Sequence, residues 1–347
     1  MRHARKTAWA ALAAVLAAAT LSLGLANAEP PSRLVSTLPI DGPKPWTSEP
    51  AVDGDVIRFA VVGDNTGLAR PGVFDQAMNQ INWMRPDMVM SIGDLFEGYT
   101  TDQAAIDSDR REVEQSVAKL KVPFVYVPGN HDLGNEVALA DWRRTRGATY
   151  YAFVYKNALF LVLDTEDPPI PLKESERFRS VVASMRADPV GFEKRMAARL
   201  NRTNTEDRTS EAAAIDPTKQ SRFSDDQVKF VSGALKRFPD VRWTFVFMHK
   251  PAWTLDSGNF PKIEALLNDR PYTAFAGHNH YYLHEVRNGR DYIQMGTTGG
   301  IRHQDGPGTM DHIAWVTLDK GAPEIANIKL SGLLDRTGKT GQVETLY

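Results

Sequence analysis

Residues 60–67 read AVVGDNTG, in which an apolar run ends in the carboxylate of Asp64. The pattern returns in MSIGDLFEG at residues 90–98, where the apolar run ends at Asp94. Short apolar runs closed by glycine predict buried β-strands. A carboxylate that follows such a strand lies at the carboxyl edge of the sheet, where open α/β sheets bind ligands. The two segments therefore predict a polar site at that edge.

Apolar runs and amphipathic stretches alternate outward from these segments. Strands are predicted at 56–63, 88–93 and 124–128, with helices within 71–84 and 103–120 between them. Such alternation is typical of parallel strands linked by helices, and so of an α/β fold. Further along, the pattern predicts hairpins at 150–164 and 282–295, a helix at 224–238, and strands at 243–248, 273–276, 312–318 and 325–330.

The N-terminus carries a secretory signal pattern over residues 1–28. Arg2, Arg5 and Lys6 precede an apolar run, and the small residues Ala26 and Ala28 predict cleavage after position 28. An uncleaved membrane anchor is the alternative, since the run approaches the length of a transmembrane helix. With the leader removed, we expect a secreted, periplasmic protein without a membrane span.

The rest of the chain is predicted to form one main domain. Residues 29–54 are rich in proline and predict an extended lead-in that cannot hold a regular ladder. The domain follows at 55–335, and residues 336–347 form a C-terminal tail. Within the domain, residues 166–222 are charged and poor in strand formers, which predicts a helical insertion or lid over the core.

Composition excludes several classes of function. Removal of the leader leaves 38 basic against 43 acidic residues, a net charge of −5, so nothing indicates a surface for nucleic acid or anionic lipid. The chain has no cysteine, which excludes disulfides, thiolate metal ligands and a cysteine nucleophile. A metal site in this protein must use Asp, Glu, Asn and His.

Five predicted strands deliver candidate metal ligands at their carboxyl ends. A single polar residue after a strand is typical of a helix cap or a turn, but five together indicate a site. The residues are Asp64, Asp94, Asn130 with His131, His249, and His278 with His280.

These motifs, GDNTG, GDLFEG, GNHD, FMHKP and GHNH, stand in the order and approximate spacing of the calcineurin-like metallophosphoesterases, which the chain resembles over residues 56–300. That family includes purple acid phosphatases and many bacterial phosphodiesterases. The resemblance implies an α/β fold of two packed mixed β-sheets flanked by helices. It also implies a two-metal site for Mn, Fe or Zn. One ion would be held by Asp64, Asp94 and His280, and the other by Asp94, Asn130, His249 and His278.

The chemistry implied is hydrolysis of a phosphomonoester or a phosphodiester by attack of metal-bound hydroxide. The family position of His131 assists the leaving oxygen, either by donating a proton or by stabilising its negative charge. Asp132 either orients that imidazole or caps the following helix. Glu97 is expected to orient a ligand or a bound water, or to form a salt bridge with a neighbouring strand end. Asn130 could also contact the substrate, which we expect to be a phosphorylated small molecule.

Thr66 departs from the family pattern, because it stands where a metal-binding His is usual. The first metal could then be weakly bound, completed by water or substrate, completed by a ligand from elsewhere, or absent. His303, in the glycine-rich loop at 296–308, is a candidate substitute, and Arg302 and His303 are candidate substrate contacts. The alternative function is a degenerate site that binds a phosphorylated ligand or one metal without turnover.

Overall fold

A computed structural model describes residues 35–36, 42–51, 54–66, 69–169, 183–184, 187–188, 191, 194–195, 221–254, 258–302 and 306–340. The predicted signal segment 1–28, most of the predicted insertion at 166–222, and positions 341–347 of the predicted tail lie outside the described residues.

A five-stranded sheet carries the first three motifs. Its strands are β2 (Ile57–Val62), β3 (Met88–Ser91), β4 (Phe124–Val125), β11 (His312–Leu318) and β12 (Glu324–Lys329). The spatial order is β12-β11-β2-β3-β4. The neighbours β2, β3 and β4 run parallel, while β11 pairs antiparallel with both β2 and β12. The carboxyl ends of β2, β3 and β4 therefore meet at one edge.

A seven-stranded sheet carries the other two motifs. Its strands are β1 (Val35–Ser36), β5 (Tyr151–Tyr155), β6 (Ala158–Val162), β7 (Trp243–Phe247), β8 (Tyr272–Ala276), β9 (Leu283–Arg287) and β10 (Arg290–Gln294). The order is β1-β5-β6-β7-β8-β10-β9. Parallel pairing of β6, β7 and β8 aligns the ends that precede His249 and His278. Both sheets are mixed, as predicted.

Alternating side chains bury both faces of each sheet. On β2, Ile57, Phe59 and Val61 face the seven-stranded sheet, while Ala60 and Val62 face helices. The Phe59 ring packs edge-on against Phe160 and three other rings from the opposite sheet at centroid distances of 4.9–6.4 Å. This packing explains why the strands read as continuous apolar runs.

Helices cover the outer faces, which confirms the predicted layered α/β architecture. Helices α1 (Val73–Met84), α2 (Gln103–Val117) and α3 (Glu136–Arg146) lie on the five-stranded sheet, and α4 (Asp225–Arg237) and α5 (Phe260–Leu267) on the other. Ser224 caps α4 as the sequence predicts, because its hydroxyl accepts from the backbone N–H of Gln227. Helix α3 entered the prediction only as a helix that Asp132 caps, without bounds, and the structure gives that cap to Asn135; α5 was not predicted. In the described part of the chain, none of the helices combines the length and apolarity needed to cross a bilayer.

The segment before β2 is more than the predicted lead-in. Val35 and Ser36 form β1 by antiparallel pairing with Val154 and Phe153, so the expectation that residues 29–54 cannot hold a ladder is wrong for these two positions. Trp46 is buried in the core between the sheets. Proline is tolerated near edge strands, so a two-residue edge strand is compatible with this proline-rich sequence.

Candidate metal centre

Loops after five parallel strand ends bring the predicted ligands together. The loops after β2, β3 and β4 contribute Asp64, Asp94 and Asn130, and those after β7 and β8 contribute histidines. The loop after β2 is tied to the next one, because the carbonyl of Asp94 accepts from the backbone N–H groups of Asn65 and Thr66 at 3.0 and 2.9 Å.

Two histidines are held in the orientation that metal ligands need. His249 Nδ1 bonds the carbonyl of Ile92 at 2.9 Å, and His280 Nδ1 bonds the carbonyl of Ile301. A carbonyl accepts, so each Nδ1 carries a proton, and Nε2 is the nitrogen that a metal ion would bind. His249 Nε2 lies 3.0 Å from Asp94 Oδ2, and His280 Nε2 lies 3.0 Å from an oxygen of Asp64. A lone pair and a carboxylate oxygen at that distance need a cation or a proton between them.

Asp94, His249 and His278 form a cluster whose ligand atoms all lie within 4.8 Å of one another. The pair of Asp64 and His280 lies beside this cluster. The backbone N–H of His278 donates to Asp64 Oδ2 at 3.0 Å and so links the pair to the cluster. The Nδ1 atom of His278 is 3.3 Å from Nε2 of His249. The structure thus brings together the three charged or imidazole ligands predicted for the second ion, Asp94, His249 and His278.

Electrostatics favour the metal-binding forms of Asp94 and His278. Burial raises the pKa of Asp94, but the positive charges of the His249 and His131 rings outweigh this effect. The pKa is lowered overall, so this carboxyl stays ionised. Desolvation, with the positive charges of His249 and Lys250, lowers the pKa of His278 well below its usual range. An ionised carboxylate and a neutral imidazole are the forms that bind metal. Burial lowers the pKa of His249, but the charge of Asp94 raises it to about 9, so a metal ion at this site would displace a proton from that ring.

The glycines of the motifs permit this close approach. A Cβ on Gly129 would lie 2.2 Å from Asp94 Oδ1, and one on Gly277 would lie 2.4 Å from Asp64 Oδ1. Three ligands, Asp94, His278 and His280, have positive φ angles of 53°, 73° and 57°. Left-handed backbone is costly for residues other than glycine and clusters at functional sites.

Asn130 offers one further ligand atom. Its Nδ2 donates to the hydroxyl of Tyr99 at 2.9 Å, while its Oδ1 is buried and has no hydrogen-bond partner among the described residues. A buried acceptor without a donor is expensive unless a cation satisfies it. The site therefore fits a metal ion bound through oxygen and imidazole nitrogen.

The predicted role of Asp132 is corrected by the structure. Its two carboxylate oxygens accept from four backbone N–H groups, and neither oxygen bonds the ring of His131. Glu97 takes that place, with Oε1 at 2.5 Å from His131 Nδ1. A carboxylate one residue from the histidine in sequence is less well placed than one from the neighbouring loop, because the chain turns away after His131.

The comparison with known families settles the class of this site. A sequence model of calcineurin-like phosphoesterases matches residues 57–282. The chain belongs to the calcineurin-like phosphoesterase family. It is therefore a metallophosphoesterase, and membership implies dependence on a divalent metal. No curated protein matches the chain.

Solved structures share this calcineurin-like phosphoesterase fold. A dimetal phosphatase from Danio rerio is 15% identical, with a TM-score of 0.52 over 79% of this chain and 96% of that one. A purple acid phosphatase from yellow lupin, Lupinus luteus, is 13% identical, with a TM-score of 0.51 over 79% of this chain and 51% of that one. At these identities the likeness shows the fold.

Two other predicted contacts of this phosphoesterase have different outcomes. The Arg302 guanidinium donates to Asp311 at 3.1 Å, so a carboxylate already engages the group expected to bind phosphate. Asp311 is also paired with Arg70. His303 lies outside the described residues, and its predicted roles stay predictions.

The sequence did not single out a buried ion-pair group beside the metallophosphoesterase site. Lys250, fully buried after His249, lies 2.6 Å from Glu166, and Arg222 donates to the other Glu166 oxygen at 2.7 Å. Arg222 also bonds the carbonyl of Thr165 through its backbone N–H, so the two ends of the predicted insertion meet here. The one indication of this group in the sequence is the lysine that follows His249 in FMHKP.

Proposed function

We propose that the protein is a secreted, periplasmic phosphoesterase that holds two metal ions, drawn from Mn, Fe and Zn, and hydrolyses a phosphomonoester or a phosphodiester. One observation carries the proposal: ligand atoms of Asp94, His249 and His278 lie within 4.8 Å of one another. The buried Asn130 Oδ1, which has no hydrogen-bond partner within the described part of the chain, supports it. The signal pattern at residues 1–28 supports secretion.

The ligand sets are those that the family resemblance implies, and the cluster of Asp94, His249 and His278 supports one of them. Asp94, Asn130, His249 and His278 would hold one ion, and Asp64 with His280 would hold the other, with Asp94 shared. When bound, the ions supply positive charge for the phosphoryl oxygens and an activated water molecule. Because the Thr66 hydroxyl donates to Glu97, the ion held by Asp64 and His280 has fewer protein ligands than the other. We therefore expect that ion to bind more weakly.

We propose that His131 protonates the leaving oxygen. Its Nε2 lies 3.8 Å from Asp94 Oδ2, so the ring faces the ligand cluster. Burial lowers the pKa of His131, but the charges of Glu97 and Asp94 raise it to about 10. The ring is then protonated on both nitrogens at neutral pH, with Nδ1–H donating to Glu97 and Nε2–H available to the substrate.

The test combines metal analysis with hydrolysis of a nitrophenyl phosphomonoester and a bis-nitrophenyl phosphodiester by protein loaded with Mn, Fe or Zn. We expect His278→Ala to lose at least about 100-fold in turnover together with metal content. His284→Ala is the matched control, because His284 is on the exposed strand β9 and bonds Asp291. Near-normal turnover in His278→Ala would reject the site. Metal-loaded wild type that cleaves neither ester would instead support binding without turnover.

A further inference from the structure

The side chain of Thr66 forms a hydrogen bond with a carboxylate. Its hydroxyl oxygen lies 3.0 Å from Glu97 Oε2, and the residue is buried. An ionised carboxylate only accepts hydrogen bonds, so the hydroxyl donates its one proton to Glu97. The backbone of Thr66 is fixed as well, by its N–H bond to the carbonyl of Asp94.

Glu97 is held at both oxygens. Oε2 accepts from Thr66, and Oε1 contacts His131 Nδ1. The terminal torsion of a glutamate is broad and has no sharp staggered minima, so a single contact at Oε1 would leave the plane of the carboxylate free to rotate. A second donor at Oε2 fixes that plane and, through it, the orientation of the imidazole.

We propose that Thr66 is a positioning residue that acts through Glu97 on His131. The inference rests on the proposed function, in which His131 protonates the leaving oxygen. It explains the departure of this position from the usual metal-binding His: the hydroxyl serves the proton donor instead of an ion. Thr66 touches neither substrate nor metal in this role.

The surroundings set the size of the effect. A cavity of about 600 Å³ is lined by Asn65, Thr66, Phe96 and Glu97, among other residues. Water in this cavity can partly replace a missing hydroxyl as the donor to Oε2. Removal of the hydroxyl should therefore loosen the imidazole without abolishing its contact with Glu97.

The test compares Thr66→Val, which keeps the shape and removes the hydroxyl, with Thr66→Ser, which keeps the hydroxyl. The substrates are a nitrophenyl ester, whose leaving group departs without a proton, and an alkyl ester of the same phosphate, whose leaving group needs one. We expect Thr66→Val to lower kcat about 10-fold on the alkyl ester and less than about 2-fold on the nitrophenyl ester. KM should not change, and Thr66→Ser should restore at least half of the alkyl-ester rate.

Two further measurements do not depend on turnover. Metal content per chain should be equal in wild type, Thr66→Val and Thr66→Ser. In zinc-loaded protein, the imidazole N–H proton resonance assigned to His131 by its loss in His131→Asn should shift in Thr66→Val and return in Thr66→Ser. Melting temperatures confirm that each variant is folded.

Each remaining outcome overturns the proposal. Equal losses on both esters would show a general disturbance, loss of metal would show that Thr66 acts on an ion, and an unmoved resonance would show that the His131 ring does not depend on it. If wild type cleaves neither ester, the proposed function fails, while the resonance still decides whether Thr66 positions the ring.

Discussion

Asp132→Asn distinguishes a structural carboxylate from a catalytic one. In the structure, Oδ2 accepts from the backbone N–H groups of Asp94 and Gly129, each at 2.8 Å, and Oδ1 accepts from those of Leu95 and Phe96 at 3.0 and 3.1 Å. The asparagine amide replaces one oxygen by NH₂, so two of these buried donors face another donor. Each buried donor without an acceptor costs about 1–3 kcal/mol, which predicts a loss of about 4 kcal/mol in the free energy of unfolding.

The measurement is urea denaturation of the metal-free protein, followed by metal titration. Because one of the four donors belongs to Asp94, metal affinity should fall with stability. Asp102→Asn is the matched control: this exposed carboxylate accepts from the backbone N–H of Ala104 at the start of α2, where asparagine caps equally well. It should change stability by less than about 0.5 kcal/mol. An Asp132→Asn protein of wild-type stability and poor turnover would refute the structural role and restore the imidazole-orienting one.

Three other predictions concern pH, a buried charge and metal removal. Desolvation lowers the pKa of the buried His312 to about 4, so the unfolded chain binds a proton first as the pH falls below about 6.5. The free energy of unfolding of wild type should then fall, relative to that of His312→Gln, by about 1.4 kcal/mol per pH unit, reaching a total of about 3 kcal/mol at pH 4. A difference between the two proteins that does not change with pH would contradict this prediction. Lys250→Ala should lower the free energy of unfolding, measured by urea denaturation, by about 3–5 kcal/mol, because the buried Glu166 loses one of its cationic partners. The double variant Lys250→Ala with Glu166→Gln should lose less. Equal losses in the two variants would show that the ion pair is not the cause. Chelation of the metal should lower the melting temperature of wild type but not that of Asp94→Asn. Metal added back at 100 times its Kd should raise the free energy of unfolding of wild type by about 2.7 kcal/mol. A response to chelation in both proteins would show that the stabilising metal binds elsewhere.

Much of the fold follows from local pattern. The runs that became β2, β3, β7 and β8 are short, apolar and closed by glycine or polar residues, and the segments of α1, α2 and α4 are amphipathic, so the alternation and the parallel strand direction could be predicted. The two packed sheets were implied by the family resemblance. The bounds of helix α3 could not be predicted, because its helical residues follow GNHD without the apolar periodicity that marks α1. Its start depends on Asn135, whose side chain accepts from the N–H groups of Val137 and Ala138.

The identities of the metal-site residues were visible in the sequence, but their partners were not. Glu97 and Asp132 are both acidic residues close to a motif, and the sequence does not distinguish the one that contacts His131 from the one that binds four backbone N–H groups. Tyr99, whose hydroxyl meets Asn130 and whose ring lies 4.7 Å from that of His131, carried no signal of its own. Such pairings depend on which loops lie side by side.

Periodicity and residue type at strand ends predicted parallel strands linked by helices and a set of oxygen and imidazole donors, and the motifs implied the family with its two packed sheets. Only the tertiary structure decided the hydrogen-bond partners: Thr66 with Glu97, Glu97 with His131, and Asp132 with the backbone around Asp94. The reason is physical. Hydrogen bonds act over about 3 Å, and residues about 30 positions apart come that close only when β2, β3 and β4 align their ends.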